Sequence, residues 1–132
     1  MGSWRSIASL LLLLSAAACS SKPDLPSLGK VEPFQLTDQT NQAFDSAKLA
    51  GKVWVANFFF TTCPGPCPRM SSQMHQVQMA LEKDGIQLVS MTVDPEHDTP
   101  QVLDEYSKTY KASAGIWHFL TGEKEKLNHL ST

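Results

Sequence analysis

Residues Gly51–Met70 read GKVWVANFFFTTCPGPCPRM, and three kinds of chain follow one another within them. Gly51-Lys52 is a turn. Val53–Phe60 is β-branched or aromatic and apolar at nearly every position, the pattern of a strand covered on both faces that belongs in the middle of a sheet. Thr61–Pro68 then sets two cysteines, Cys63 and Cys67, among three prolines. From Pro68 to Lys83 the apolar residues Met70, Met74, Val77 and Leu81 recur at helical spacing, and Asp84-Gly85 supplies the stop. A residue before proline is pushed away from the α region, and both cysteines precede one. The spacing therefore predicts Cys67 as the helix N-cap and Pro68 as the first helical residue, where a missing N–H costs nothing. Gly65 gives the loop the freedom to fold back. Cys67 is then expected at the positive end of the helix dipole, which favours its thiolate.

Working outward, EPFQLTDQTNQAF (Glu32–Phe44) offers two short strands around the turn Asp38–Asn41. IQLVSMTVD (Ile86–Asp94) is a further strand. Thr99-Pro100 opens a second helix, with Thr99 as N-cap, Pro100 at its first position, and Leu103, Tyr106 and Tyr110 along one face. GIWHFLTG (Gly115–Gly122) is another strand, and EKEKLNHLST (Glu123–Thr132) begins a third helix. Alternation of strand and helix implies an α/β fold with a parallel sheet and right-handed crossovers. In such sheets chemistry collects beyond the C-terminal ends of the strands, which is where Cys63 and Cys67 fall.

The 132 residues, 42% hydrophobic and 18% charged, have the composition of one globular domain rather than a disordered tail. With a formal charge of −2 and no basic stripe, the chain lacks what a phosphate backbone would demand, so nucleic acid is not expected as a partner. The N-terminus, MGSWRSIASLLLLLSAAACSSKPDLPSLG, places Arg5 before an apolar run ending at Leu14 and then small residues, the layout of a secretory signal. The run is shorter than the roughly 18 residues a spanning helix needs. Cys19, after three alanines, resembles the cysteine on which bacterial lipoproteins are cleaved and lipidated; ordinary signal cleavage is the alternative. The expected organisation is a signal peptide over residues 1–19, a polar tether over 20–31 and one domain over 32–132, exported and held at a membrane facing the periplasm or cell exterior.

With Cys19 carrying lipid, Cys63 and Cys67 remain as each other's partners outside the cytoplasm. Three uses compete. A structural disulfide would close a very short loop and gain little entropy. A catalytic thiol–disulfide pair of the strand–helix type usually has two intervening residues, and here there are three. A soft-metal site is the third: thiolates select Cu(I) or zinc, but structural zinc takes four protein ligands, so copper is satisfied with fewer.

FFFTTCPGPCPRM, TVDPEHDTPQVLDEY and IWHFLTG, in that order, resemble the Sco/SenC family of membrane-tethered copper proteins, over nearly everything from Pro33 onward. The resemblance implies a thioredoxin-like fold with an N-terminal β-hairpin. It also implies delivery of copper to the binuclear copper site of cytochrome c oxidase, or reduction of that site's cysteines. The oxidase's copper-bearing subunit or another copper carrier would be the partner. Cys63 and Cys67 match the family's two thiolate ligands and form the candidate redox pair. The family's third ligand is a histidine on a strand beyond the third helix, in a C-terminal hairpin this chain lacks, since it stops within that helix. Two thiolates suit Cu(I), whereas Cu(II) would need that added imidazole. In such a sheet the absent hairpin would pair with the far side of Val53–Phe60, leaving that edge open. His75, His97, His118 and His129 are expected to be solvated or hydrogen-bonded, Met70 and Met74 to pack in the core, and Asp94 and Asp98 to initiate turns.

Overall fold

The computed structural model describes residues 26–132. Cys19 and the apolar run before it lie outside the described residues. Residues 31–132 form one compact unit. Its strands are β1 (Gln35–Asp38), β2 (Ala43–Asp45), β3 (Trp54–Phe59), β4 (Gln87–Thr92) and β5 (Trp117–Thr121). Its helices are α1 (Pro66–Leu81), α2 (Pro100–Thr109) and α3 (Lys124–Leu130), with single 3-10 turns at Ser46–Leu49 and Glu82–Asp84.

The strands form one sheet in the order β2-β1-β5-β4-β3. β3, β4 and β5 run parallel, and β1 is antiparallel to both β2 and β5. The hairpin turns where expected because Asp38 Oδ1 accepts from the backbone N–H groups of Thr40 (2.9 Å) and Gln42 (3.0 Å), a side-chain substitute for a backbone turn. Gln39, in that turn, lies along β5: Phe119 N–H donates to its Oε1 at 3.0 Å. One core layer fills the space between the sheet and α1 and α2, with Phe59, Met74, Leu88, Leu103, Trp117 and Phe119. The other, on the opposite face, joins Phe34, Leu36, Phe44, Val89, Leu120 and Leu127 beneath α3 and the hairpin.

Among the described residues β3 pairs only with β4 and forms the edge of the sheet, the open side expected of Val53–Phe60 in this chain rather than the mid-sheet place its apolar run suggests. Two further expectations need correction. α1 starts at Pro66, two residues before the expected Pro68, with Gly65 rather than Cys67 as its N-cap. Pro66 has the fixed φ that suits the first position, and the N–H that Pro68 lacks two residues later would have been unpaired in any case. The buried face of α1 is also rotated from the apolar stripe: Cys67, Ser71, Met74 and Gln78 are buried, while Leu81 is exposed. Gln78 is accommodated because its Oε1 accepts from Ser113 N–H (2.8 Å) and its Nε2 donates to the Lys111 carbonyl (3.1 Å), tying α1 to the turn before β5. α2 follows expectation, with Thr99 as N-cap, its Oγ1 accepting from Val102 N–H, and Pro100 at the first position.

Candidate metal and redox site

Beyond the end of β3 the chain turns once, with Cys63 N–H donating to the Phe60 carbonyl at 3.2 Å, before α1 begins at Pro66. This turn sets Cys63 directly ahead of the helix and Cys67 in its first turn. Both are free thiols, and their side chains are brought within hydrogen-bonding reach of each other. They sit in the top of the α1–α2 core layer, 7% and 5% exposed, so each is nearly sealed by its neighbours. Cys63 lies outside the helix, in the loop between β3 and α1.

The loop backbone sets the two thiols apart. Pro66 and Pro68 have no N–H, and the backbone donors of Gly65 and Cys67 both face the Cys63 sulfur. The Cys67 thiol also donates to Cys63, and this bond, with the Gly65 N–H next in size, holds the Cys63 thiol below its ordinary value. Burial pushes the Cys67 thiol up, and the adjacent Cys63 sulfur pushes it further. The thiolate expected at Cys67 is therefore favoured at Cys63 instead. The helix N-terminus serves the residue in front of it rather than the one inside it.

Under the thiols lies an aromatic floor. Tyr106 packs on Phe59 (ring centroids 5.1 Å apart), Phe119 (5.9 Å) and Tyr110 (4.8 Å). Its hydroxyl hydrogen-bonds Ser71 Oγ at 3.0 Å, one turn along α1 from Cys67. Burial above all drives the Tyr106 phenol well above its usual range, so it stays neutral.

The histidines do not converge on the sulfurs. His118 is half-buried on β5 against Phe44 (4.7 Å), and burial lowers its pKa. His129 is exposed on α3, and His75 lies along α1 with a buried Nδ1 that has no partner. His97 is 55% exposed and its Nδ1 lies 3.3 Å from Asp98 Oδ1. Among the described residues no three of His, Cys, Asp or Glu cluster closely enough to hold a metal. The soft donors that the described residues gather here are two sulfurs, a set that fits Cu(I). Met74 is buried in the core and Met70 packs against it, as expected.

Asp94 behaves as a turn residue: its carbonyl accepts from His97 N–H (3.2 Å) and Asp98 N–H (2.9 Å). Asp98 does not. Its carboxylate is fully buried and accepts from Thr61 N–H (3.0 Å), the Thr61 hydroxyl and the Thr92 hydroxyl (2.5 Å). No local pattern signals this, because Thr61 is far away in sequence; only the threonines near the C-terminal ends of two strands hint at it.

The SCO1/SenC family model matches residues 25–132, most of the chain and both cysteines. The chain belongs to the SCO1/SenC family. A SCO1/SenC family lipoprotein from Bacillus anthracis is 35% identical to it and superimposes with a TM-score of 0.72, covering 77% of this chain and 62% of the other. BsSco, a Sco protein of cytochrome c oxidase assembly that contains a disulfide switch, is 34% identical with a TM-score of 0.69, covering 77% and 61%. ScoI of Bradyrhizobium japonicum, solved with copper bound, is 30% identical with a TM-score of 0.68, covering 77% and 64%. The chain also spans 60% of the length of a 36%-identical curated relative, the SCO1 homologue of Bacillus subtilis. The mixed sheet and three helices are those of the thioredoxin-like Sco structures. Among the described residues no helix is long and apolar enough to cross a membrane.

Proposed function

We propose that this chain is a copper carrier that holds Cu(I) between the sulfurs of Cys63 and Cys67. The observation that carries the reading is the pair itself: two free thiols in mutual hydrogen-bonding reach at the rim of the sheet, Cys63 held toward the thiolate first by the Cys67 thiol and then by backbone donors. A thiolate pair is the soft donor set that selects Cu(I), and the copper-bound Sco relative supports copper as the cargo. In this reading Cys19 is lipidated, residues 20–31 form a tether, and the domain works outside the cytoplasm at a membrane surface; the lipoprotein among its relatives supports that placement. The recipient is the copper-bearing subunit of cytochrome c oxidase or another copper carrier, a role supported by the oxidase-assembly function of BsSco.

Anaerobic titration with Cu(I) against a competing chelator tests the metal-binding step. One equivalent bound tightly, and lost in both Cys63→Ser and Cys67→Ser, is the expected result. Binding that survives either substitution overturns the reading.

The asymmetry between the two thiols favours one further activity, disulfide exchange. The Cys63 thiolate would attack a target disulfide and form a mixed disulfide, expelling one target thiolate. Cys67, losing its proton, would then attack the Cys63 sulfur and release the second target thiol. Two electrons pass to the target, and Cys63–Cys67 is left oxidised. Weak copper binding together with turnover of a disulfide substrate would establish this activity in place of the first.

A further inference from the structure

Asp98 has more hydrogen bonds than a turn requires. Its carboxylate is 0% exposed, and among the described residues no lysine or arginine pairs with it. A buried carboxylate is tolerated when donors occupy its lone pairs, and here three converge. Oδ2 accepts from Thr61 N–H and Thr92 Oγ, and Oδ1 accepts from the Thr61 hydroxyl and faces His97 Nδ1. Thr92 Oγ in turn accepts from Asp94 N–H at 3.0 Å. Two of these bonds reach Thr61, which stands two residues ahead of Cys63 in the loop leaving β3, while Thr92 is the last residue of β4. The carboxylate therefore bridges the loops that leave two neighbouring parallel strands. Cys67 is close enough for the Asp98 charge to be felt at its sulfur.

We propose that Asp98 is the positioning residue of the dithiol: by clamping Thr61 to the end of β4, it fixes the start of the Cys63 loop and so keeps the two sulfurs within bonding reach. The proposal concerns how the pair is held, and it deepens the copper-carrier reading without requiring copper for its test. The contacts distinguish hydrogen bonding from charge. In Asp98→Asn the amide oxygen can take over the Oδ2 contacts with Thr61 N–H and Thr92 Oγ, while the amide nitrogen faces the Thr61 hydroxyl, which can accept as readily as donate. The clamp survives and the charge is lost. In Asp98→Ala neither remains.

The test is the dithiol–disulfide equilibrium of the metal-free chain against glutathione, which reports how well the loop presents one sulfur to the other. Asp98→Ala is expected to shift this equilibrium toward the open dithiol by about tenfold, about 30 mV for a two-electron couple. Asp98→Asn is expected to stay within about threefold of the parent chain. Thr61→Val, which removes only the hydroxyl, should shift the equilibrium in the same direction as Asp98→Ala, and Thr61→Ser should restore it. Leu127→Ala, a buried substitution beneath α3 in the core layer on the opposite face of the sheet, controls for general loosening and should leave the equilibrium unchanged. If Asp98→Ala does not fold, the Thr61 pair carries the test alone. A parent-like equilibrium in Asp98→Ala or Thr61→Val, an equal shift in Leu127→Ala, or a loss in Asp98→Asn matching that in Asp98→Ala would each overturn the proposal. In the copper titration, affinity should fall about 10- to 100-fold in Asp98→Ala. Absence of copper binding in the parent chain would refute the carrier reading while leaving the glutathione result to stand or fall separately.

Discussion

Ser90→Ala should be among the most damaging single substitutions in this chain, although it removes one oxygen atom. Ser90 is buried in β4 and links three strands: Trp117 Nε1–H on β5 donates to its Oγ at 2.9 Å, and that hydroxyl donates to Asn57 Oδ1 on β3 at 2.6 Å. Removing it orphans the indole N–H and the amide oxygen together, in a layer filled by Phe59, Leu88 and Phe119 where neither can find a substitute. Each orphaned buried group costs about 1–3 kcal/mol, so the pair costs about 2–6 kcal/mol. For a domain of about 100 residues, a mid-range loss of about 4 kcal/mol lowers Tm by about 15–30 °C. Asn57 makes the reasoning testable, because its Nδ2 is already buried with no partner. Adding Asn57→Leu to Ser90→Ala replaces a stranded amide with a side chain of similar size, and should recover about 1–2 kcal/mol rather than add to the damage. Circular-dichroism melts and urea transitions with unchanged m-value measure both effects. A Ser90→Ala chain within about 0.5 kcal/mol of the parent, or a double variant less stable than Ser90→Ala, would refute the account of the relay.

The two thiols should separate in their pH dependence. Alkylation of Cys63, measured in Cys67→Ser, should rise with pH at a midpoint below that of an ordinary thiol, because the Gly65 and Cys67 N–H groups still face the sulfur and the serine hydroxyl can replace the lost thiol donor. Alkylation of Cys67, measured in Cys63→Ser, should have its midpoint above an ordinary thiol because burial is retained; the reverse order, read by mass spectrometry, would contradict the assignment. His118 makes stability sensitive to acid. Burial, opposed by Asp38, lowers its folded pKa beneath the ordinary 6.5, so the unfolded chain takes up the proton first. Its contribution is complete above that value and is lost as pH falls toward the folded pKa. His118→Phe, which keeps the packing on Phe44, should flatten urea stability over that acidic window; an unchanged slope would show that the imidazole is not the group responsible.

The sequence made the strand–loop–helix around the cysteines readable because each of its signals is local: a β-branched and aromatic run, prolines at a helix start, a stop at Asp84-Gly85. Boundaries were less legible where local rules conflicted. Pro66 and Pro68 are both good first helical residues, and the pre-proline restriction on Cys67 pointed to the later one, whereas the helix accepts Cys67 in its first turn. That difference of two residues puts the helix N-cap at Gly65 instead of Cys67, and the favoured thiolate at Cys63 ahead of it. The buried face of α1 was hidden because two of its residues, Ser71 and Gln78, are polar and are satisfied by Tyr106 and by the backbone around Ser113, partners that hydropathy does not register. Asp98 was obscured in a similar way. Beside Thr99-Pro100 it has the local signature of a turn residue, and its use of Thr61 is a long-range pairing that no spacing along the chain reveals. The cysteines themselves were found from composition and position, and the fold brought them together.

X-ray absorption at the copper edge of the anaerobic, Cu(I)-loaded chain tests the central claim most directly, because it counts the atoms around the ion. Two sulfur neighbours and no nitrogen or oxygen in the first shell are expected, with the sulfur contribution abolished when both cysteines are replaced by serine. A first shell containing imidazole nitrogen, or one that keeps its sulfur after both cysteines are gone, would mean that Cys63 and Cys67 are not the copper-holding pair.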